Sequence, residues 1–294
     1  ADAMTLYNHA LAENGVTLNF DNSPETIVVI ETKGSETQHF MHRVKLGAGV
    51  KATVVDDHAA LGYSNVIWHV ELAADAQLTL VHIQQSGQYV GHCTADLAAN
   101  AQFKQMTLLT GGDVARHATH VKLQQAGAKA DLHSAILGRA VSHNDVTYTI
   151  EHQAADTHSH TTSHQALADA ARGVFQGKVI VQRDAQRVDA QMQARAMMLS
   201  SEAEINAKPE LEIYADDVAC AHGTAIGEID ADALFFLRAR GIDEASARQL
   251  LITGFVEQLL THCDDKALAD VLRRHIEQKI SALTLTKLEA DHAV

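Results

Sequence analysis

The chain has 294 residues, 46% of them hydrophobic but only 4% aromatic, and a formal net charge of −14. That length supports one large domain or two ordinary ones, and an acidic balance without a basic stripe excludes binding to nucleic-acid backbones as a main role. Three widely spaced cysteines, Cys93, Cys220 and Cys263, do not form a disulfide framework, and no apolar run approaches membrane-spanning length, so a protein of the cytoplasm is expected, with no membrane partner.

The opening residues, ADAMTLYNHALAENG, lack the basic stretch and apolar run of a secretory leader. Their earliest methionine is Met4, and the chain is expected to be a fragment that has lost an upstream segment. Residues 1–24 are read as an entry segment to the region that follows.

From there the sequence repeats itself. Six segments, LGAGVKATVV, LAADAQLTLV, LAANAQFKQM, LQQAGAKADL, HQAADTHSHT and VQRDAQRVDA, begin at Leu46, Leu72, Leu97, Leu123, His152 and Val181. Their starts are 26, 25, 26, 29 and 29 positions apart. Each carries a turn cluster of small and polar residues, and alternating stretches such as VIWHVEL, QLTLVHI and KVIVQ run between them. Alternation with period two means strand. Strands repeating at near-constant spacing mean a solenoid of stacked coils, and the presence of only 2 prolines suits a backbone whose amides are nearly all used in ladders. An antiparallel meander or two-sheet sandwich also gives evenly spaced short strands; the constancy of the period favours the solenoid.

The stretch PELEIYADDVACAHGTAIGEID, Pro209 to Asp230, is the richest in chemistry. In an extended segment residues i and i+2 share a face, so Cys220 and His222 can be directed at one spot. A thiol and an imidazole suit iron, zinc or iron–sulfur chemistry. Two ligands do not complete a tetrahedral site, so further ligands would have to come from elsewhere in the fold or from another chain. Asp216 and Asp217 are adjacent and would face opposite ways, which disfavours a catalytic carboxylate pair and favours a turn or interface role.

After Asp230 the period changes to helical. DADALFFLRARG has Asp230 as N-cap, Leu234, Phe235 and Leu237 as an apolar stripe and Gly241 as a stop. Asp243 opens a second helix carrying Leu250, Leu251, Phe255, Leu259 and Leu260 through to THC at Cys263. Asp264 opens a third, with Leu268, Val271, Leu272, Ile276, Ile280 and Leu283 on one side. The reading is therefore a β-solenoid core over residues 1–229 and a small α-helical domain over residues 230–294, whose helices pack on one another or on the end of the solenoid. Arg238 and Arg240 either complement the first helix's C-terminal dipole or face an acidic partner.

In order along the chain, LYNHALAENGVTL, the run from His158 that contains FQGKVIVQRDAQRVDAQ and LEIYADDVACAHG, then LFFLRARGI and ARQLLITGF, resemble the SufB/SufD scaffold family of the sulfur-mobilisation iron–sulfur assembly system, on its SufD side. The resemblance covers essentially the whole chain. It implies a right-handed parallel β-helix core, a C-terminal helical domain, and an N-terminal helical domain that is expected to be missing from this sequence. It further implies a non-catalytic scaffold subunit of a SufB–SufC–SufD complex. Such a subunit pairs with a SufB-like paralogue through the β-helix and holds a SufC-like ABC ATPase through the C-terminal helices. The family's functional histidine carries over to His222, with Cys220 as its neighbour in the same motif; both are candidate cluster ligands at the partner interface. No cofactor is expected to stay on this chain alone; a nascent iron–sulfur cluster would form only in the complex.

Other readings compete with this one. A homodimeric β-helix of structural role would place His222 across a two-fold axis from its copy. A polysaccharide-acting β-helix enzyme would need aromatic sugar platforms and a charged groove, against a single Trp here, and no GxxxxGK[ST] phosphate loop is present. The 19 histidines also include a group, His158, His160 and His164, that has the look of a metal cluster but is read as structural. His58, His69, His82 and His92 fall in or near strands and most of them are read as surface side chains, and Cys93 and Cys263 as small buried hydrophobes.

Overall fold

The computed structural model describes residue 8, residues 10–12 and residues 14–291, with side chains up to residue 281. Its strands alternate between two sheets along the chain: β1 (Thr17–Phe20), β2 (Val28–Thr32), β3 (Gln38–Leu46), β4 (Lys51–His58), β5 (Tyr63–Leu72), β6 (Gln77–Gln84), β7 (Gln88–Leu97), β8 (Gln102–Leu109), β9 (Val114–Leu123), β10 (Lys129–Gly138), β11 (His143–His152), β12 (His158–Leu167), β13 (Arg172–Val181), β14 (Val188–Met198), β15 (Glu204–Ile213) and β16 (Val218–Glu228). Odd-numbered strands form one 8-stranded sheet and even-numbered strands the other, each in chain order. Every named pairing is parallel. That arrangement is a β-solenoid of stacked coils and rules out the meander and the sandwich.

The sequence repeat is the physical coil. Phe20, Leu46, Leu72, Leu97, Leu123, His152, Val181 and Ile213 stand in register, one per coil of the odd-numbered sheet. The six repeat starts are therefore one internal column, and Leu46 through Val181 in it are buried. Corners repeat too. Gly49, Asp75, Asn100, Gly127, Asp156 and Arg187 take the left-handed conformation just after the column residue, with φ between 55° and 76°. Glycine, Asn and Asp tolerate that conformation best. The corner amides are spent on the next coil: Gly49 N donates to Ala74 O at 2.9 Å, Asp75 N to Ala99 O at 2.9 Å and Asn100 N to Ala126 O at 3.0 Å.

Beyond the last strand lie α1 (Ala231–Arg238), α2 (Glu244–Val256), a 3-10 turn (Glu257–His262) and α3 (Lys266–Asp291). Asp230 caps α1 by accepting from the amides of Asp232 and Ala233, and Asp243 caps α2 by accepting from Ser246 N at 3.0 Å. The third start is one residue later than the sequence suggests: Asp265 accepts from Leu268 N at 2.9 Å, while Asp264 forms an ion pair with Lys104 of β8. The second helix also stops early. Its expected last turn winds tighter as a 3-10 segment, which buries the adjacent Leu259 and Leu260 together.

These helices do not sit on the end of the solenoid. They lie along its side, where Ile252, Val256, Leu259, Leu260, Leu268, Leu272, Ile276 and Ile280 form one apolar cluster with the outer face of the even-numbered sheet. That face supplies Val81, Ile83, Met106, Leu108, Ala135, Leu137, Ala166 and Ala168. Its strands bury both faces, as the unbroken buried runs of β10 and β12 record, and a sheet apolar on both sides needs cover on both. Three stripe residues expected inside, Phe235, Leu250 and Val271, are exposed; the Leu283 side chain lies outside the described residues.

Candidate functional site

A solenoid has two ends, and at one of them β15 and β16 each have a neighbour on a single side. Cys220 and His222 belong to β16, in register with Ala190 and Met192 of β14. On β14 those positions are buried and face the interior. The same parity on β16 runs Val218, Cys220, His222, Thr224 and Ile226, but no further coil covers it, and from His222 onward the strand is exposed. Core-facing positions of the terminal coil thus become surface.

Cys220 sits at the boundary. It packs against the edge of the interior cluster and is half-buried, and burial is the leading cause that raises its thiol above the usual value, so it is protonated at neutral pH when alone. His222 is exposed two residues on along the same face. The pair can present a sulfur and a nitrogen ligand to whatever meets this end, without completing a coordination sphere. Asp216 and Asp217 form the bend between β15 and β16; the Asp217 amide donates to Gln186 Oε1 at 2.9 Å and its carbonyl accepts from Arg187 N.

Backbone direction matters here as much as side chains. In a parallel ladder successive residues direct their amides to opposite neighbours. Asp189, in register with His158 of β12, donates its N–H to the preceding Thr157 O, so the even-numbered residues of β14 serve β16, and the even-numbered residues of β16, His222 and Thr224 among them, direct their N–H and C=O groups to the free edge. Glu204 at the start of β15 and Tyr214 just past its end donate their amides to Ala171 O, just before β13, and Val181 O, the last residue of β13, so the amide position of Pro209 faces outward. Proline blunts that edge by removing a donor. The β16 edge carries no such block along its 11 residues.

Several histidines lie where the sequence reading did not put them. His58 and His82 are buried, not on the surface. Both share parity with Val54 and Leu80, which face inward, and that parity was readable in the sequence. His82 Nδ1 lies 3.1 Å from Asp56 Oδ2, which also accepts from Trp68 Nε1 at 3.0 Å. Burial alone would raise the Asp56 carboxyl; the hydrogen bond and charge of His82, with His42 and His58, bring it below its usual value instead. His117 continues the interior chain, 3.0 Å from Gln105 Nε2 and 3.3 Å from the Tyr89 hydroxyl. His69 and His92 are half-buried, and Cys93 is wholly buried with its thiol pushed up by burial.

His158, His160 and His164 share the outer face of β12 but spread along it. His164 is held under the helices, 3.1 Å from Gln258 Oε1 and with Phe255 edge-on to its ring. His160 meets instead His133 of β10 and His262 of the 3-10 turn. Spacing along one strand could not reveal that meeting, because it joins three separate elements. Arg238 pairs with Glu244 at 3.1 Å and Arg240 stacks 3.2 Å over the Phe236 ring.

Residues 28–255 match the family model described as SUF system FeS cluster assembly, SufBD core domain. The chain is 29% identical over 251 residues to the iron–sulfur cluster assembly protein SufD of Escherichia coli, covering 83% of this chain and 59% of that protein. It is 33% identical over 229 residues to an iron–sulfur cluster assembly SufBD family protein of Synechocystis, covering 76% and 49%. With SufD of Bacillus subtilis it shares 28% over 173 residues, covering 59% and 39%. The chain therefore spans only about half the length of these relatives.

Proposed function

Because the chain belongs to the SufBD core family and is SufD-like, we propose that it is a non-catalytic scaffold subunit for iron–sulfur cluster assembly, pairing end to end with a SufB-like paralogue in the cytoplasm. One observation carries this reading: the terminal coil leaves the β16 edge unpaired and turns its core-facing row, Cys220 and His222 included, to solvent. A paralogous solenoid can continue both sheets across that edge by strand addition. It would also bring the ligands that Cys220 and His222 lack.

At such a seam the nascent cluster is cargo. Imidazole is a more weakly donating cluster ligand than thiolate and raises the cluster's potential, which suits a site that must release what it builds. Burial keeps the Cys220 thiol protonated until a cation or cluster draws the proton off. The C-terminal helices support a second contact. Nothing on α1 is buried, and Phe235 and Phe236 are 73% and 54% exposed; adjacent exposed aromatics mark a docking face, read here as the seat of a SufC-like ATPase. Among the described residues no helix is long and apolar enough to cross a membrane.

Thr224→Pro tests the edge. It removes one outward-directed amide and leaves every bond between β14 and β16 in place. The variant chain should fold with unchanged thermal stability yet fail to co-purify with the SufB-like paralogue. Wild-type pairing in the variant would overturn the reading. So would a wild-type homodimer that resists exchange with the paralogue.

A further inference from the structure

Away from the open end, the described residues bring three imidazoles together where the solenoid meets the helices. His133 of β10, His160 of β12 and His262 of the 3-10 turn have ring nitrogens within 4.8 Å of one another. We propose that these three side chains bind one divalent first-row transition-metal ion, and that the ion pins the 3-10 turn, and with it the C-terminal helices, to the wall of the solenoid.

The donor set is the first argument. Three neutral imidazoles suit zinc and its first-row neighbours and leave one position for water or a carboxylate. Asp131 stands in register beside His160 and two residues from His133 on the same outer face, and it is a carboxylate of the wall that could fill that position. Lys104, whose charge opposes a cation, is engaged in its ion pair with Asp264.

Orientation is the second argument. His133 is buried, and its Nδ1 lies 2.8 Å from the Thr162 hydroxyl. A hydroxyl that accepts the Nδ1 proton leaves the lone pair on Nε2, which is how a neighbouring acceptor commonly fixes a metal-binding histidine. His160 closes the group on its solvent side. Burial, with the nearby His262, His160 and Lys104, holds His133 far below its usual value, at about 2, so its ring stays neutral.

Capture requires one rearrangement. The His133 and His262 rings are stacked, 3.6 Å between centroids and 6° apart in plane, whereas nitrogens sharing a tetrahedral ion sit about 3.4 Å apart with each ring edge-on to it. His262 is half-buried and on a short turn, so it can rotate about its side-chain bonds to present a nitrogen. The stack is then the resting arrangement of two neutral rings and the ion its replacement.

The experiment uses the purified full chain, stripped with chelator and titrated with Co2+ and then Zn2+. One equivalent of Co2+ should bind with the visible spectrum of a tetrahedral or five-coordinate site, and Zn2+ should displace it. The melting temperature should rise with Zn2+ concentration, and amides of the 3-10 turn should exchange more slowly. His160→Ala and His262→Ala, neither a deep core change, should each weaken binding at least tenfold and remove the Zn2+-dependent shift. Cys220→Ala/His222→Ala should keep the full equivalent, which separates this site from the open end. Absence of stoichiometric binding, binding that survives both rim variants, or binding lost with Cys220 and His222 would each overturn the proposal.

Discussion

His152 occupies a place in the interior column that Leu46, Leu72, Leu97 and Leu123 fill in the coils before it. It is completely buried, with Nδ1 2.8 Å from the Thr157 hydroxyl and Nε2 2.9 Å from the Ser159 hydroxyl. Burial, reinforced by His158, pushes its ring down to about 4. The unfolded chain takes up this proton near pH 6.5 and the folded chain only near pH 4, so the unfolded state binds more protons between them. The stability contributed by neutral His152 is therefore whole above about pH 6.5 and is lost as pH falls toward 4. Linkage over that window gives a loss of about 2 kcal/mol between pH 7 and pH 5 from this one side chain.

His152→Leu removes the titration and restores the aliphatic column. At pH 7 the variant leaves the Ser159 hydroxyl without its partner, while Thr157 keeps its bond to Ala154 O at 3.0 Å. An orphaned buried hydroxyl costs about 1–3 kcal/mol and leucine burial returns a similar amount, so the two proteins should be nearly equal there. At pH 5 the variant should be the more stable by about 2 kcal/mol. Urea unfolding across this range, with equal m-values in both proteins, measures the difference. Parallel stability curves for wild type and variant would refute the reasoning.

Two further substitutions address the surfaces. His222→Ala, on an exposed strand position, should leave the fold and partner pairing intact but lower the yield of assembled cluster in the reconstituted complex at least tenfold, read by the cluster's visible absorption under anaerobic conditions. Full assembly would remove His222 from the seam chemistry. Phe235→Asp changes a side chain that is 73% exposed, so the chain's stability should move by no more than about 0.5 kcal/mol. Capture of a SufC-like ATPase should be lost, and retained capture at wild-type strength would place the docking face elsewhere.

The coil was readable because one column governs it. Each repeat start, from Leu46 to Val181, is an interior residue in register with the start of the next coil, so the period survives wherever the interior must be filled. The helix caps at Asp230 and Asp243 were readable for a local reason, since capping needs only an acceptor and the amides two or three residues on. Asp264 failed that test because a lysine 160 residues away competes for it. His58 and His82 have a visible parity, but residue type alone sends an imidazole toward water, and what holds His82 inside is the buried Asp56 of a neighbouring coil, which no local pattern reveals. His262 could not have been joined to His133 and His160, for their meeting depends on which face the helices cover.

A column of coils holds together through contacts between neighbours, so each coil's resistance to opening depends on how many sides it is stacked on. The coil made of β15 and β16 is stacked on one. Fraying should begin there, with the amides of β14 shielded behind it, and hydrogen exchange would record a gradient rising toward the middle of the rod. Whatever seals that end contributes its binding energy to the last coil first, so docking and local ordering are a single event.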